Sequence, residues 1–213
     1  MPVSQRVKKA EKKREAILRS AARAFARRGY HGTSMEDIAG ELLMTKGSLY
    51  YYFKDKEDIL FACHEHSLDK ALANLAMVEA MKTSADHKLA ALIRAQVEVI
   101  VDTLQGSAMA LDYNALSAPL LDKIVTRRDA FEQGLRRLVR EGVKSGAFAK
   151  VDDRLASFMI FGAINWVAKW YRQGGEYDVD RIAGFFAGVF LAGLKSGEVI
   201  DFSSLALDGG HAA

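Results

Sequence analysis

A single cysteine, Cys63, rules out an internal disulfide framework and suits a reducing compartment. The only prolines are Pro2 and Pro119, so nearly all of the 213 residues are free to be helical. No run approaches the ~18 to 20 uninterrupted apolar residues of a membrane span. The opening "MPVSQRVKKAEKKREAIL" is charged where a signal peptide would be apolar. The expectation is a soluble, cytoplasmic protein that uses no membrane. Catalytic signatures are absent too: there is no Gly-rich phosphate loop, no His-Glu-x-x-His pair and no nucleophile elbow. No enzyme activity, catalytic residue or cofactor is therefore expected. "Cys63-His64-Glu65-His66" brings metal-ligand types together, but helix neighbours one and two apart diverge, so no metal site is expected.

Half of the residues are apolar, enough for a sizeable core. The net charge of +3 is unevenly spread: residues 1–35 hold ten Lys or Arg against Glu11 and Glu15, so the remainder is acidic. A basic end on an acidic body suits a polyanion-binding module joined to a body with another task. That asymmetry alone also fits a helical scaffold binding RNA or anionic membrane.

The pattern that separates these readings is "TKGSLYYYFKDKED", residues 45–58. Successive helical side chains point about 100° apart, so Tyr50, Tyr51 and Tyr52 cannot all face one interior. The flanking pattern supplies three more helices. Ile17, Leu18, Ala21, Ala22 and Phe25 mark one from about Lys12 to Arg28, ended by Gly29. "Thr33-Ser34-Met35-Glu36" reads as a capping box, with Met35, Ile38, Ala39 and Leu42 inward. Thr45 caps a third helix through Phe53, with Leu49, Tyr50 and Phe53 inward and Tyr51 and Tyr52 outward. Asp55 caps a fourth that runs into the seventies. Two short helices joined by a tight turn and packed on a third make a helix-turn-helix, whose second member enters the DNA major groove. Gly47 and Ser48 allow close approach, and Lys46 and Lys56 bracket the helix as phosphate ligands. Residues 6–14 are too charged to fold alone and are expected to order only on DNA.

At "FARRGYHGTSMEDIA" and "TKGSLYYYFKDKEDIL" the chain resembles the N-terminal DNA-binding domain of the tetracycline-repressor (TetR) family. The resemblance implies an all-α homodimeric transcriptional regulator, usually a repressor, released from double-stranded operator DNA when a small hydrophobic effector enters its C-terminal domain. It divides the chain into a basic arm (1–13), a DNA-binding domain (14–60, helix-turn-helix 34–53) and a ligand-binding and dimerisation domain (61–213). Carried over, Thr45, Lys46, Gly47, Ser48, Tyr51 and Tyr52 face the groove and its backbone, and Thr33, Ser34 and Lys56 meet phosphate. One departure stands out: Leu43 occupies the turn position where the family usually has glycine, so the turn must form without glycine's access to positive φ.

Beyond residue 80 the pattern stays helical. The last two helices, opened by Asp and closed by Gly, are apolar on more than one face, which points to a dimer interface. Gly162, Gly184, Gly188 and Gly193 would let helices approach closely. Asn165 is a lone amide in "FGAINWVAKW", and its partner is the dimer mate, a backbone carbonyl or a ligand. Tyr113, Asn114 and Trp166 are further ligand candidates. The ending "NWVAKWYRQGGEYDVDRIAGFFAGVFLAGL" loosely resembles TetR-family members that sense acyl-coenzyme A thioesters, which implies a long apolar pocket with Met109, Phe158, Met159 and Phe161 in its lining. A flat drug or aromatic compound, as sensed by efflux regulators, suits the same composition.

Overall fold

The structure, a computed structural model, describes residues 3–102 and 113–198. Those residues form eight α-helices and no strand. Helix α1, Val3–Arg28, carries Arg27 and Arg28 in its last turn and stops at Gly29, whose φ of 73° is left-handed. The basic stretch expected to be a disordered arm is therefore helical from Val3 onward, continuous with the helix foreseen from Lys12.

Helix α2 spans Met35–Glu41 and is capped by Ser34, not Thr33: the Ser34 hydroxyl accepts from Asp37 N and the Asp37 carboxylate accepts from Ser34 N. Its C-terminus closes with Leu43 N donating to Gly40 O at 3.1 Å and Met44 N to Ala39 O at 3.0 Å. This paired closure requires a left-handed residue, and Leu43 takes it at φ 51°. Helix α3, Lys46–Tyr50, is shorter than expected, and the chain turns through Tyr51 and Tyr52. Helix α4, Lys56–Glu79, is capped by Asp55, which accepts from Asp58 N at 2.8 Å.

Helix α5 spans Ala85–Val101. Tyr113–Ala115 is a 3-10 turn rather than part of a longer helix, and Met109, expected in the pocket lining, lies outside the described residues. Helix α6, Ala118–Ser145, has Pro119 in its first turn, where a missing N–H is harmless. Helix α7, Asp153–Trp170, and helix α8, Val179–Ser196, are capped by Asp152 and Asp178.

Two cores result, and α4 belongs to both. Ile59, Leu60, Cys63 and Leu68 join α1, α2 and α3 around Phe25, Ile38, Leu49 and Phe53. Ala71, Leu75 and Val78 join α5 to α8 around Leu89, Phe131, Ile160 and Phe190. The first core also takes Leu116, just before α6, and Ile124 from its second turn. The division expected at residue 60 falls within α4, the helix whose pattern runs into the seventies. Within the chain, close helix approach falls at Gly134, where a Cβ would overlap the Leu75 methyls; one on Gly142 would overlap the ring of Phe148, just past the end of α6. Gly162, Gly184, Gly188 and Gly193 have nothing within 4 Å of such a Cβ.

Candidate nucleic-acid interface and effector cavity

Thr45 shapes the exposed end of α3. Its hydroxyl accepts from Ser48 N at 3.2 Å and lies 2.9 Å from the Ser48 hydroxyl, leaving Thr45, Lys46, Gly47 and Ser48 together on the surface. A Cβ on Gly47 would meet nothing within 4 Å, so this glycine serves no internal packing. Leu43 stands beside them, 98% exposed. Lys46 forms an ion pair with Glu36 across the turn and lies 5.7 Å from the Tyr50 ring centroid. The hydrogen bond from Lys46 holds the Glu36 carboxyl below the usual carboxylate range and raises the Lys46 ammonium in return. Ser34, exposed at the start of α2, spends its hydroxyl on Asp37.

The tyrosines divide differently from the helical expectation. Leu49 and Phe53 are buried, while Tyr50 is 45% and Tyr51 84% exposed. Tyr52 is half-buried against the N-terminal core, and its carbonyl accepts from Arg14 Nη1 at 3.3 Å. The cause is the early end of α3: the 100° step no longer applies, and the turn swings Tyr52 back toward α1. Tyr51 and Tyr52 nonetheless share the wall of an open groove with Lys9, Lys12 and Lys13 of α1. It adjoins a second groove in which Lys13 joins Leu43, Thr45, Gly47 and Ser48.

Two expected phosphate ligands are otherwise engaged. The Thr33 side chain is 1% exposed, its hydroxyl donating to Gly29 O at 2.9 Å inside the α1–α2 joint. Lys56 donates to Tyr30 O at 2.8 Å and lies 4.4 Å from that ring's centroid, so it ties α4 to the chain after α1. Sequence reasoning missed Lys9, Lys12 and Lys13 as part of a built surface. The signal was present as their charge, but a free arm was the wrong frame for it.

A second site lies among α5, α6 and α7. Leu92, Ile93 and Gln96 face Phe131 and Leu135, with Ile160, Phe161, Ile164 and Asn165 closing the third side. The cavity measures about 10 Å³, room for the centre of one water. Gln96 is buried and its Nε2 donates to Ala71 O of α4 at 3.5 Å, so a cavity-lining amide holds the helix that leads to α3. Of the foreseen ligand residues, Phe161 and Asn165 line this cavity. Tyr113 lies apart from it, its ring 6.0 Å from that of His64. Asn114 is exposed, and Phe158 and Trp166 point outward at 48% and 64% exposure. Gln96 was legible as a polar residue in an apolar stripe; the aliphatic lining was not.

Comparison with known proteins settles what this architecture is. A family model described as "Bacterial regulatory proteins, tetR family" matches residues 17–63, and one described as "Tetracyclin repressor-like, C-terminal domain" matches residues 82–194. The chain belongs to the TetR family. It is therefore a DNA-binding transcriptional regulator that responds to a small molecule. Membership decides against the RNA- or membrane-binding scaffold that charge alone left open. Among TetR-family relatives, the chain is 29% identical over 189 residues to the HTH-type transcriptional repressor KstR2 of Rhodococcus jostii (strain RHA1), covering 86% of this chain and 92% of that one. It is 26% identical over 183 residues to the fatty acid metabolism regulator protein of Bacillus subtilis (strain 168), covering 84% and 94%. Among solved structures it resembles AibR in complex with isovaleryl coenzyme A and operator DNA, with a TM-score of 0.74 at 26% identity, covering 83% and 96%.

In this TetR-family chain α7 and α8 each carry an outward apolar face. Leu155, Met159 and Trp166 on α7 and Phe185 and Val189 on α8 are all more than half exposed. Gly162, Gly184 and Gly188 lie exposed on the same helices. No described helix is long and apolar enough to cross a membrane.

Proposed function

We propose that the protein is a homodimeric repressor that holds a palindromic operator and lets go when an acyl-coenzyme A thioester or similar amphipathic effector enters its C-terminal core. Thr45, Lys46, Gly47, Ser48, Tyr51 and Tyr52 meet the groove and its backbone, Lys9, Lys12 and Lys13 add phosphate contacts from α1, and the Ser34 end of α2 borders the same strand. The dimer forms through α7 and α8, since an apolar face of this breadth is unusual on a monomer.

The observation that carries this reading is the Gln96 to Ala71 hydrogen bond. It joins a wall of the effector cavity to α4, and the Asp55 cap of α4 follows the recognition helix by only a few residues. Palindromic half-sites require recognition helices roughly 34 to 36 Å apart or a multiple of this, so a small swing of α4 spoils the fit without disturbing any base contact. An effector shifts that balance only through its difference in affinity for the two spacings, typically ~1 to 3 kcal/mol. The acyl-coenzyme A class is supported by an apolar cavity lined with two amides, and by the named ligand of AibR and the named role of the Bacillus subtilis relative.

A gel shift with the DNA upstream of the protein's own gene tests the reading. Specific retardation that acyl-coenzyme A thioesters of one chain-length class reverse is expected. Retardation that no thioester, free acid or aromatic compound reverses would overturn the effector-gated mechanism.

A further inference from the structure

Two neighbouring arginines on α6 have opposite surroundings. Arg127 pairs with Glu65 at 3.7 Å and with Asp69, both on α4. Arg128 has no carboxylate partner among the described residues. Its guanidinium instead lies over two aromatic rings, 4.8 Å from the centroid of Tyr113 and 5.6 Å from that of Phe161. Ring faces hold a guanidinium by its own flat face and leave the N–H groups in its plane free to donate. A half-buried cation in this posture is ready for a planar or tetrahedral anion, because such a partner takes two parallel hydrogen bonds from the edge of the fork.

Its position says where that anion comes from. Phe161 is both a wall of the Arg128 slot and a wall of the apolar cavity, and its ring lies 5.7 Å from that of Phe131, another cavity wall. On the other side, Tyr113 meets His64 of α4 at 6.0 Å. A chain of ring contacts thus links the cavity, through Arg128, to α4. The cavity is too small to hold an acyl chain as it stands, whereas ligand pockets typically reach ~300 to 1,000 Å³. Entry of a chain must displace part of this lining, and Phe161, one of its walls, bears directly on Arg128.

We propose that Arg128 is the anion anchor of the effector site, holding the charged group of a ligand whose apolar chain enters between Phe131 and Phe161. This rests on the effector reading above and deepens it: the ligand class is an amphipathic anion. The anion is either the carboxylate of a free acid or a phosphate of its coenzyme A thioester. Arg128 therefore joins recognition of charge to the aromatic contact on α4.

The test is calorimetric titration of the full-length protein with a medium-chain fatty acid, its coenzyme A thioester and its uncharged methyl ester, for wild type, Arg128→Gln and Arg128→Lys. The expected result is a loss of roughly 10- to 100-fold in affinity for the anchored anion in Arg128→Gln, a smaller loss in Arg128→Lys, and a change under about twofold for the methyl ester. Whichever anion shows the loss identifies the source. Because Arg128→Lys keeps the charge, it also serves if the glutamine variant fails to fold. Equal losses for anion and ester, or no loss for either anion, overturn the anchor while leaving the effector reading intact. So does a wild type that binds only the ester and releases DNA with it. A wild type that binds none of the three overturns the anchor, and the effector reading falls with it only if the wider series of the gel shift also fails to release the operator.

Discussion

Replacing Leu43 with glycine should make the protein more stable, although it removes a large apolar side chain. Leu43 closes α2 at φ 51°, where a Cβ crowds the following carbonyl at a cost of about 1 to 2 kcal/mol. The side chain is 98% exposed, so removing it forfeits almost no burial. Glycine's extra freedom in the unfolded chain offsets roughly 0.5 to 1 kcal/mol of the relief. The net gain is about 0.5 to 1 kcal/mol, or a rise of roughly 1 to 4 °C in Tm for a chain of this size. Leu43→Ala is the control, since it removes the same exposed bulk but keeps the Cβ, and it should stay within about 0.5 kcal/mol of wild type. Urea denaturation of the three proteins gives the comparison directly. If Leu43→Gly unfolds no later than Leu43→Ala, left-handed strain at this turn is not a cost to the fold, and the reasoning fails.

Lys13→Ala should weaken binding to any duplex and flatten the log–log salt dependence by about one unit, as expected for one lost phosphate contact. Lys56→Ala should instead lower stability by about 1 to 2 kcal/mol through loss of the Tyr30 contacts, and a salt slope that fell with Lys56 but not with Lys13 would reverse the two assignments. Gly134→Ala should destabilise the α4–α6 contact by about 1 to 3 kcal/mol, because the added methyl overlaps Leu75; unchanged denaturation would mean that Leu75 moves aside freely. The hydrogen bond from the Ser34 side chain, then that from the Ser34 backbone, lowers the Asp37 carboxyl below its ordinary value. A lowered carboxyl contributes stability above its unfolded pKa of about 3.9 and loses it as pH falls through the lower folded value. Asp37→Asn should therefore narrow its stability deficit below about pH 4, and a deficit that persists unchanged in acid would contradict the capping role.

The helix-turn-helix was legible because caps and turns are local. Thr45 and Asp55 cap α3 and α4 as their spacing predicts. The errors begin where two local solutions compete and distant packing chooses. Thr33 with Glu36 and Ser34 with Asp37 have the same capping-box spacing, and burial of Thr33 against the end of α1 selects the second. Tyr50 and Tyr52 exchange roles because α3 stops after Tyr50 although no breaker residue follows it, and the Tyr52 carbonyl beyond its end accepts from Arg14 of α1. In the C-terminal half, helices apolar on several faces do not reveal which face turns inward. Phe158 and Trp166 turned out, while Phe161 and Asn165 turned in. Gly134 is set among charges in "FEQGLRRLVREGVKSG", where nothing local marks a close helix crossing.

Leu116 and Ile124 sit in the N-terminal core, although the chain leaves that core at Leu68 and returns only after α5. A recombinant fragment that stopped within α4 would open two holes in its own interior. Each missing side chain of this size typically costs ~2 to 5 kcal/mol, a large share of a small domain's ~5 to 15 kcal/mol. Anyone building a hybrid sensor by grafting this reading head onto another regulator's body would therefore have to transplant a discontinuous unit, α1 to α4 together with the first turns of α6. A single crossover within α4 would leave Leu116 and Ile124 of one parent facing core residues of the other, so these two positions have to match partners remote in the chain.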